Sequence, residues 1–139
     1  MKVSDVMTRD PQTIQAEATV HEAALLMRQA DIGALPVYEG DVLVGIVTDR
    51  DVVVRCIAKG LSPNKTLVSE ATTWEVEACT EDRGVQEAVW IMEEKKIRRL
   101  MVLDRDGRLV GIVSLCDIAL KTHDRELVEE AMETIAQPF

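Results

Sequence analysis

Apolar positions along the chain keep two different rhythms, in the same order, twice. Val20, Ala23, Ala24, Met27 and Ala30 follow the spacing of one helix face. Thr19-Val-His-Glu22 just before them has the form of a capping box, a hydroxyl at the N-cap with a glutamate three residues on. A helix is therefore predicted near residues 20–30. Ala34-Leu-Pro-Val-Tyr38 and Val42 to Val47 are short apolar runs around the turn Glu39-Gly-Asp41, which predicts a hairpin. A second helix is predicted after Thr48, ending at Gly60, a favoured C-cap residue. Leu61-Ser-Pro-Asn64 then reads as a linker, because Pro63 cannot continue a helix.

The same order returns about 65 residues later, an internal repeat. Val3-Ser4 matches Val68-Ser69, and Val20, Glu22, Ala23 and Met27 match Val85, Glu87, Ala88 and Met92. Ile32, Leu35 and Val37 match Ile97, Leu100 and Val102, and Leu43–Val47 matches Leu109–Val113 without a change. One inserted residue falls in Asp104-Arg-Asp-Gly107, where a hairpin turn tolerates it. The second copy predicts a helix near 85–96, strands near 100–103 and 109–113, and a helix after Ser114. A β-α-β-β-α unit of roughly 60 residues cannot bury both faces of its sheet alone. The expected fold is α+β: repeats 1–62 and 63–139, packed sheet to sheet with pseudo-twofold symmetry, the second carrying a helical tail.

Composition narrows the function. A net charge of -9 argues against nucleic-acid or anionic-membrane binding, and 3% aromatics against a base-stacking platform. No apolar run approaches a bilayer span, and the N-terminus turns polar too early for a signal peptide. Cys56, Cys79 and Cys116 have no metal-ligand spacing and suit a reducing cytoplasm. Two histidines offer little for a zinc site or a triad, and no nucleophile–base pair or phosphate loop is evident. The expectation is no enzyme, no metal and no catalytic cofactor. Cys79 and Cys116 fall where small buried residues are usual, with a redox pair as the alternative. Met7, Met27 and Met92 are expected in the core, and His21 exposed. Asp104-Arg-Asp-Gly107 lacks the later ligands of a calcium loop and reads as a turn.

Chemistry concentrates in Gly45-Ile-Val-Thr-Asp-Arg-Asp51 and Gly111-Ile-Val-Ser-Leu-Cys-Asp117. Each Thr/Ser-x-x-Asp is a good helix start, and each also places a carboxylate where it can accept from a vicinal diol. The two readings are compatible, because a cap sits at the anion-binding end of a helix.

With these motifs go Asp5-Val-Met-Thr8, Pro11-Gln-Thr-Ile14, Gly33-Ala-Leu-Pro-Val37 and Ile97-Arg-Arg-Leu-Met-Val-Leu-Asp104. From about Val3 to Leu120 the chain resembles a tandem pair of CBS (cystathionine β-synthase) domains, a Bateman module, as in small stand-alone bacterial and archaeal CBS-pair proteins. The resemblance implies adenosine-containing ligands (AMP, ADP, ATP, NAD or S-adenosylmethionine) in two clefts built from both repeats. It implies that each Asp accepts from ribose hydroxyls, that the Thr or Ser meets ribose or phosphate, and that strand backbone frames adenine. One implied set is Thr48 and Asp51 with Ala78, Cys79, Arg98, Arg99 and Met101. The other is Ser114 and Asp117 with Thr13, Ile14, Ala34, Leu35 and Pro36.

The copies differ. The second reads Ala71-Thr-Thr-Trp-Glu-Val76 where the first has Met-Thr and proline, Met101 replaces Pro36, and Arg98-Arg99 replaces Gly33-Ala34. The arginines are either phosphate ligands or solvated charges, and unequal sites are expected, with phosphorylated ligands favoured in the Asp51 set. The expected function is a regulatory nucleotide sensor, against the alternative of an interaction protein with vestigial clefts. A homodimer is expected, with an unidentified protein partner as a further possibility. Val52, Val53, Cys56 and Ile57 are candidates for interface or core, and the tail from Asp124 to Gln137, with Leu127, Val128, Ala131 and Ile135 at helical spacing, for an extension of that interface.

Overall fold

The computed structural model describes residues 1–137. In chain order the elements are α1 (Val3–Val6), β1 (Thr8–Arg9), β2 (Ile14–Gln15), α2 (Val20–Ala30), β3 (Ala34–Glu39), β4 (Val42–Thr48) and α3 (Asp49–Val52). They continue with α4 (Val68–Ala71), β5 (Ala78–Thr80), α5 (Val85–Lys95), β6 (Arg99–Leu103), β7 (Leu109–Ser114), α6 (Leu115–Thr122) and α7 (Arg125–Ala136). The fold is α+β with two sheets, as the repeat predicts.

Two compact units result, and they exchange leading segments relative to the sequence repeats. One is Gln12–Val76; the other joins Met1–Pro11 to the chain from Glu77 onward. In the Gln12–Val76 unit, β2 pairs parallel to β3 and β3 antiparallel to β4. Its core is Ile14, Val20, Met27, Leu35, Val37, Val47, Cys56 and neighbours. Thr19 and Glu22 form the expected capping box on α2, and Asp31 ends that helix in the left-handed region. In the other unit the sheet order is β1-β7-β6-β5. Its core holds Val3, Val6, Met7, Met92, Leu100, Val102, Val113 and Ile118.

Three expectations change. The helix after Thr48 is α-helical only to Val52, and Val53–Ile57 winds as a π segment, with Ala58 N–H donating to Val53 O at 2.8 Å. Three consecutive β-branched valines, Val52 to Val54, crowd a regular α turn and favour the wider one. Within that segment Cys56 is fully buried, whereas Val53 and Ile57 are more than half exposed. The tail does form a helix, but Leu127, Val128, Ala131 and Ile135 pack on the core of their own unit rather than standing free. Cys116 is exposed, unlike buried Cys79, because the second residue of α6 faces away from the core that Leu115 and Ile118 fill.

Candidate functional site

Each unit has one corner where a strand ends on a hydroxyl residue and a helix begins. In the Gln12–Val76 unit, Thr48 closes β4 opposite Ala34. Its hydroxyl accepts from Asp51 N–H at 3.1 Å, and Asp51 Oδ2 accepts from Thr48 N–H at 2.9 Å. The carboxylate is thus held in one orientation by reciprocal bonds, with Oδ1 4.0 Å from Arg55 Nε. Arg55 also donates through Nη1 to the carbonyls of Ala71 (3.2 Å) and Thr72 (3.0 Å). The sheet edge beside the corner is taken by the same downstream segment. Ile46 N–H donates to Thr73 O at 3.1 Å and Thr73 N–H to Ile46 O at 2.9 Å. A Cβ at position 45 would overlap the Thr73 carbonyl oxygen, so the glycine of the motif is what admits that backbone.

The second corner repeats this construction. Ser114 closes β7 opposite Arg99, its hydroxyl accepts from Asp117 N–H at 3.0 Å, and Asp117 Oδ2 accepts from Ser114 N–H at 2.9 Å. Lys121, four residues past Asp117, donates to Val6 O at 2.9 Å, as Arg55, four past Asp51, does to Ala71. Val6 ends α1 as Ala71 ends α4. Thr8 pairs with Ile112 on the edge of β7, and a Cβ at Gly111 would meet Met7 Sδ and, at 2.9 Å, Thr8 O. The differences lie in the charges. Arg55 reaches its aspartate, whereas among the described residues no ion pair reaches Asp117.

The remaining expected residues line the strands behind these corners. Ile14 pairs with Val37, Leu35 with Val47 and Pro36 with Ile46; Thr13 precedes β2 and is exposed. In the other unit Ala78 pairs with Met101, and Cys79 with Val102. Within a unit the structure therefore joins Thr48 and Asp51 to Ala34, Leu35 and Pro36, and Ser114 and Asp117 to Arg98, Arg99 and Met101. Ile14, Leu35, Cys79 and Met101 have buried side chains, so backbone is their available chemistry. Replacing proline with Met101 adds an N–H donor, which Glu77 O accepts at 3.0 Å. Arg98 and Arg99 are exposed and make no ion pair among the described residues, which leaves both free for an anion. Burial pushes the Cys79 thiol up to about 11. Arg55 and Lys121 were not among the expected site residues, although their shared place four residues after each aspartate was visible in the repeat.

Cavities of about 390 Å³ lie elsewhere, one beside the β6–β7 turn and one between the start of α5 and α7. Neither includes Asp51 or Asp117, and the hydrogen-bond geometry of the corners carries the site here, since a surface cavity lacking these groups has no claim to their chemistry. Among the described residues no group of three His, Cys, Asp or Glu side chains is placed to hold a metal ion.

The CBS domain model matches residues 3–57 and 68–124. The CBS domain-containing protein YhcV of Bacillus subtilis is 37% identical over 134 residues, 96% of this chain and 94% of that protein. Hypoxic response protein 1 of Mycobacterium tuberculosis is 36% identical over 90% of this chain and 87% of its own length. The crystal structure of Hypoxic Response Protein I with two coordinated zinc ions superposes with a TM-score of 0.77 at 36% identity, covering 87% of this chain and 98% of that one. The CBS domain pair of protein MJ0100, in complex with 5′-methylthioadenosine and S-adenosyl-L-methionine, gives 0.74 at 32% identity over 88% and 96%. Two matched copies and relatives of nearly the same length establish that this chain belongs to the CBS domain family.

Proposed function

We propose that this chain is a regulatory ligand-binding module for adenosine-containing compounds, with Asp51 and Asp117 as acceptors for the ribose hydroxyls. The observation that carries the reading is the duplicated corner: in each copy one carboxylate oxygen is fixed by the cap, which aims the other without further ordering cost. Thr48 and Ser114 lie at the same helix starts, where the positive end of the helix dipole favours phosphate. The backbone of Thr13, Ile14, Ala34, Leu35 and Pro36 and of Ala78, Cys79 and Met101 frames adenine. Arg98 and Arg99 take phosphate or another anionic group. AMP, ADP, ATP, NAD and S-adenosylmethionine all fit this chemistry, and the ligands of the MJ0100 pair are of the same class.

The module acts without catalysis, in the cytoplasm, and signals through conformation or through the packing of a homodimer. Exposed Val53, Val54 and Ile57 supply apolar surface for that packing. The same caps favour a second reading, an interaction protein whose aspartates serve only helix starts. A thermal-shift panel of AMP, ATP, NAD and S-adenosylmethionine on the wild type, Asp51→Ala and Asp117→Ala separates the two. A ligand at 100 times its dissociation constant stabilises by about 2.7 kcal/mol. Binding predicts a shift that the variants reduce. No shift with any of the four compounds leaves the interaction reading.

A further inference from the structure

We infer that Arg55 is a positioning residue that couples the Asp51 carboxylate to the segment Thr72–Val76, through which the chain leaves the Gln12–Val76 unit. Three observations within that unit support it. Arg55 Nε stands 4.0 Å from Asp51 Oδ1 while its Nη1 donates to Ala71 O and Thr72 O. The planar guanidinium has donors on both sides, so one side chain serves both partners at once. The next residue, Thr73, is fixed to β4 by the reciprocal bonds with Ile46, across the gap that Gly45 keeps open. The segment is therefore clamped on one side by the strand that leads into the corner and on the other by the helix that leaves it.

The second copy shows which part of the device is general. Lys121 occupies the equivalent position and bonds Val6 O, just before the pairing of Thr8 with Ile112. A lysine carries its three donors on one nitrogen and not across a planar fork. Here that nitrogen bonds the carbonyl and, among the described residues, makes no ion pair with Asp117. The basic residue that clamps the departing segment is common to both copies, whereas contact with the aspartate belongs to Arg55. Ligand drawing on Asp51 Oδ1 competes with Arg55 for that oxygen and so alters the clamp. That ligand step rests on the adenosine reading above; the coupling of Asp51 to the segment does not.

The test is amide exchange at Thr73 and Ile46, followed by NMR, in wild type, Asp51→Asn, Arg55→Met and the double variant. Asparagine keeps an acceptor for Thr48 N–H and removes the charge. Arg55→Met should speed Thr73 exchange roughly tenfold, and Asp51→Asn about twofold through the lost ion pair. In the Arg55→Met background Asp51→Asn should add nothing, and Arg55→Lys should restore most of the protection. Lys121→Met should speed exchange at Asp10, whose N–H donates to Val110 O, and leave Thr73 unchanged. An Asp51→Asn effect that is absent, or that is equal with and without Arg55, overturns the coupling. Calorimetry with AMP, ATP, NAD and S-adenosylmethionine is run alongside. A compound that binds should change Thr73 exchange in wild type and not in Arg55→Met; an equal change in both overturns the relay. Four silent titrations remove the adenosine reading and leave the ligand-free cycle to decide the coupling.

Discussion

The corner at Thr48–Asp51 and the corner at Ser114–Asp117 have the same backbone and the same caps but different surroundings. Both strands end on a residue with φ near -113° and both aspartates bond back to the hydroxyl residue's N–H. Around the first, an arginine spans carboxylate and carbonyls; around the second, a lysine holds one carbonyl and two exposed arginines make no ion pair among the described residues. Duplication thus preserved what the fold needs at each corner, while the charges that a ligand would meet diverged.

Substitution at the motif glycines should separate the corners most. Gly45→Ala forces a Cβ into the rigid Thr73 carbonyl, and a loss of about 3 kcal/mol is expected in urea unfolding. Gly111→Ala meets the sulfur of Met7 and, less deeply at 2.9 Å, the Thr8 carbonyl oxygen, and about 1–2 kcal/mol is expected. Equal losses would show that the segment at Thr73 yields as easily as the segment at Met7 and Thr8. Thr48→Ala and Ser114→Ala should by contrast cost the same, about 1 kcal/mol each, since the cap is the shared part.

Most of this architecture is legible in the chain, because helix and strand periodicities are local. The capping box at Thr19–Glu22 and the hairpins around Glu39–Asp41 and Asp104–Gly107 are written in adjacent residues. What escapes sequence reading depends on partners far along the chain. Thr8–Arg9 and Thr73 are too short to show a period, yet they occupy sheet edges whose partners lie over a hundred and under thirty residues away, respectively. The reason for Gly45 and Gly111, and the use of Arg55 and Lys121, appear only once those edges are filled. The π turn after Val52 escapes for another reason, since apolar spacing does not distinguish it from an α turn.

The thiols provide a contrast that needs no ligand. At pH 8 an alkylating reagent should label exposed Cys116 rapidly. Cys56 should react only on unfolding, and Cys79, its thiol pushed up by burial, should stay slow. Fast labelling of two sites in native protein, read by mass spectrometry, would show that the Cys79 strand opens.

The smallest expected difference concerns the two hairpin turns. The first is held by the Gln15 amide, which donates to Gly40 O and accepts from Gly40 N–H. The second is held by Asp104, whose carboxylate accepts from the N–H groups of Asp106 and Arg108 and lies below the usual range chiefly through the bond from Arg108 N–H. A lowered native pKa contributes stability that is present above the unfolded value, near 3.9, and lost as pH falls through the native one. The acid limb of the stability curve should therefore flatten slightly in Asp104→Asn, while Gln15→Ala lowers stability equally at all pH values. An unchanged acid limb in Asp104→Asn would remove the carboxylate from that account.

The central claim is that the two capped aspartates hold an adenosine ligand, and isothermal titration of the Asp51→Asn/Asp117→Asn double variant tests it most directly. Asparagine preserves both caps, so circular dichroism and melting should stay close to wild type. With AMP and S-adenosylmethionine the account predicts heat in wild type and a loss of at least tenfold in affinity in the double variant. Binding of the same strength in a folded double variant would contradict it.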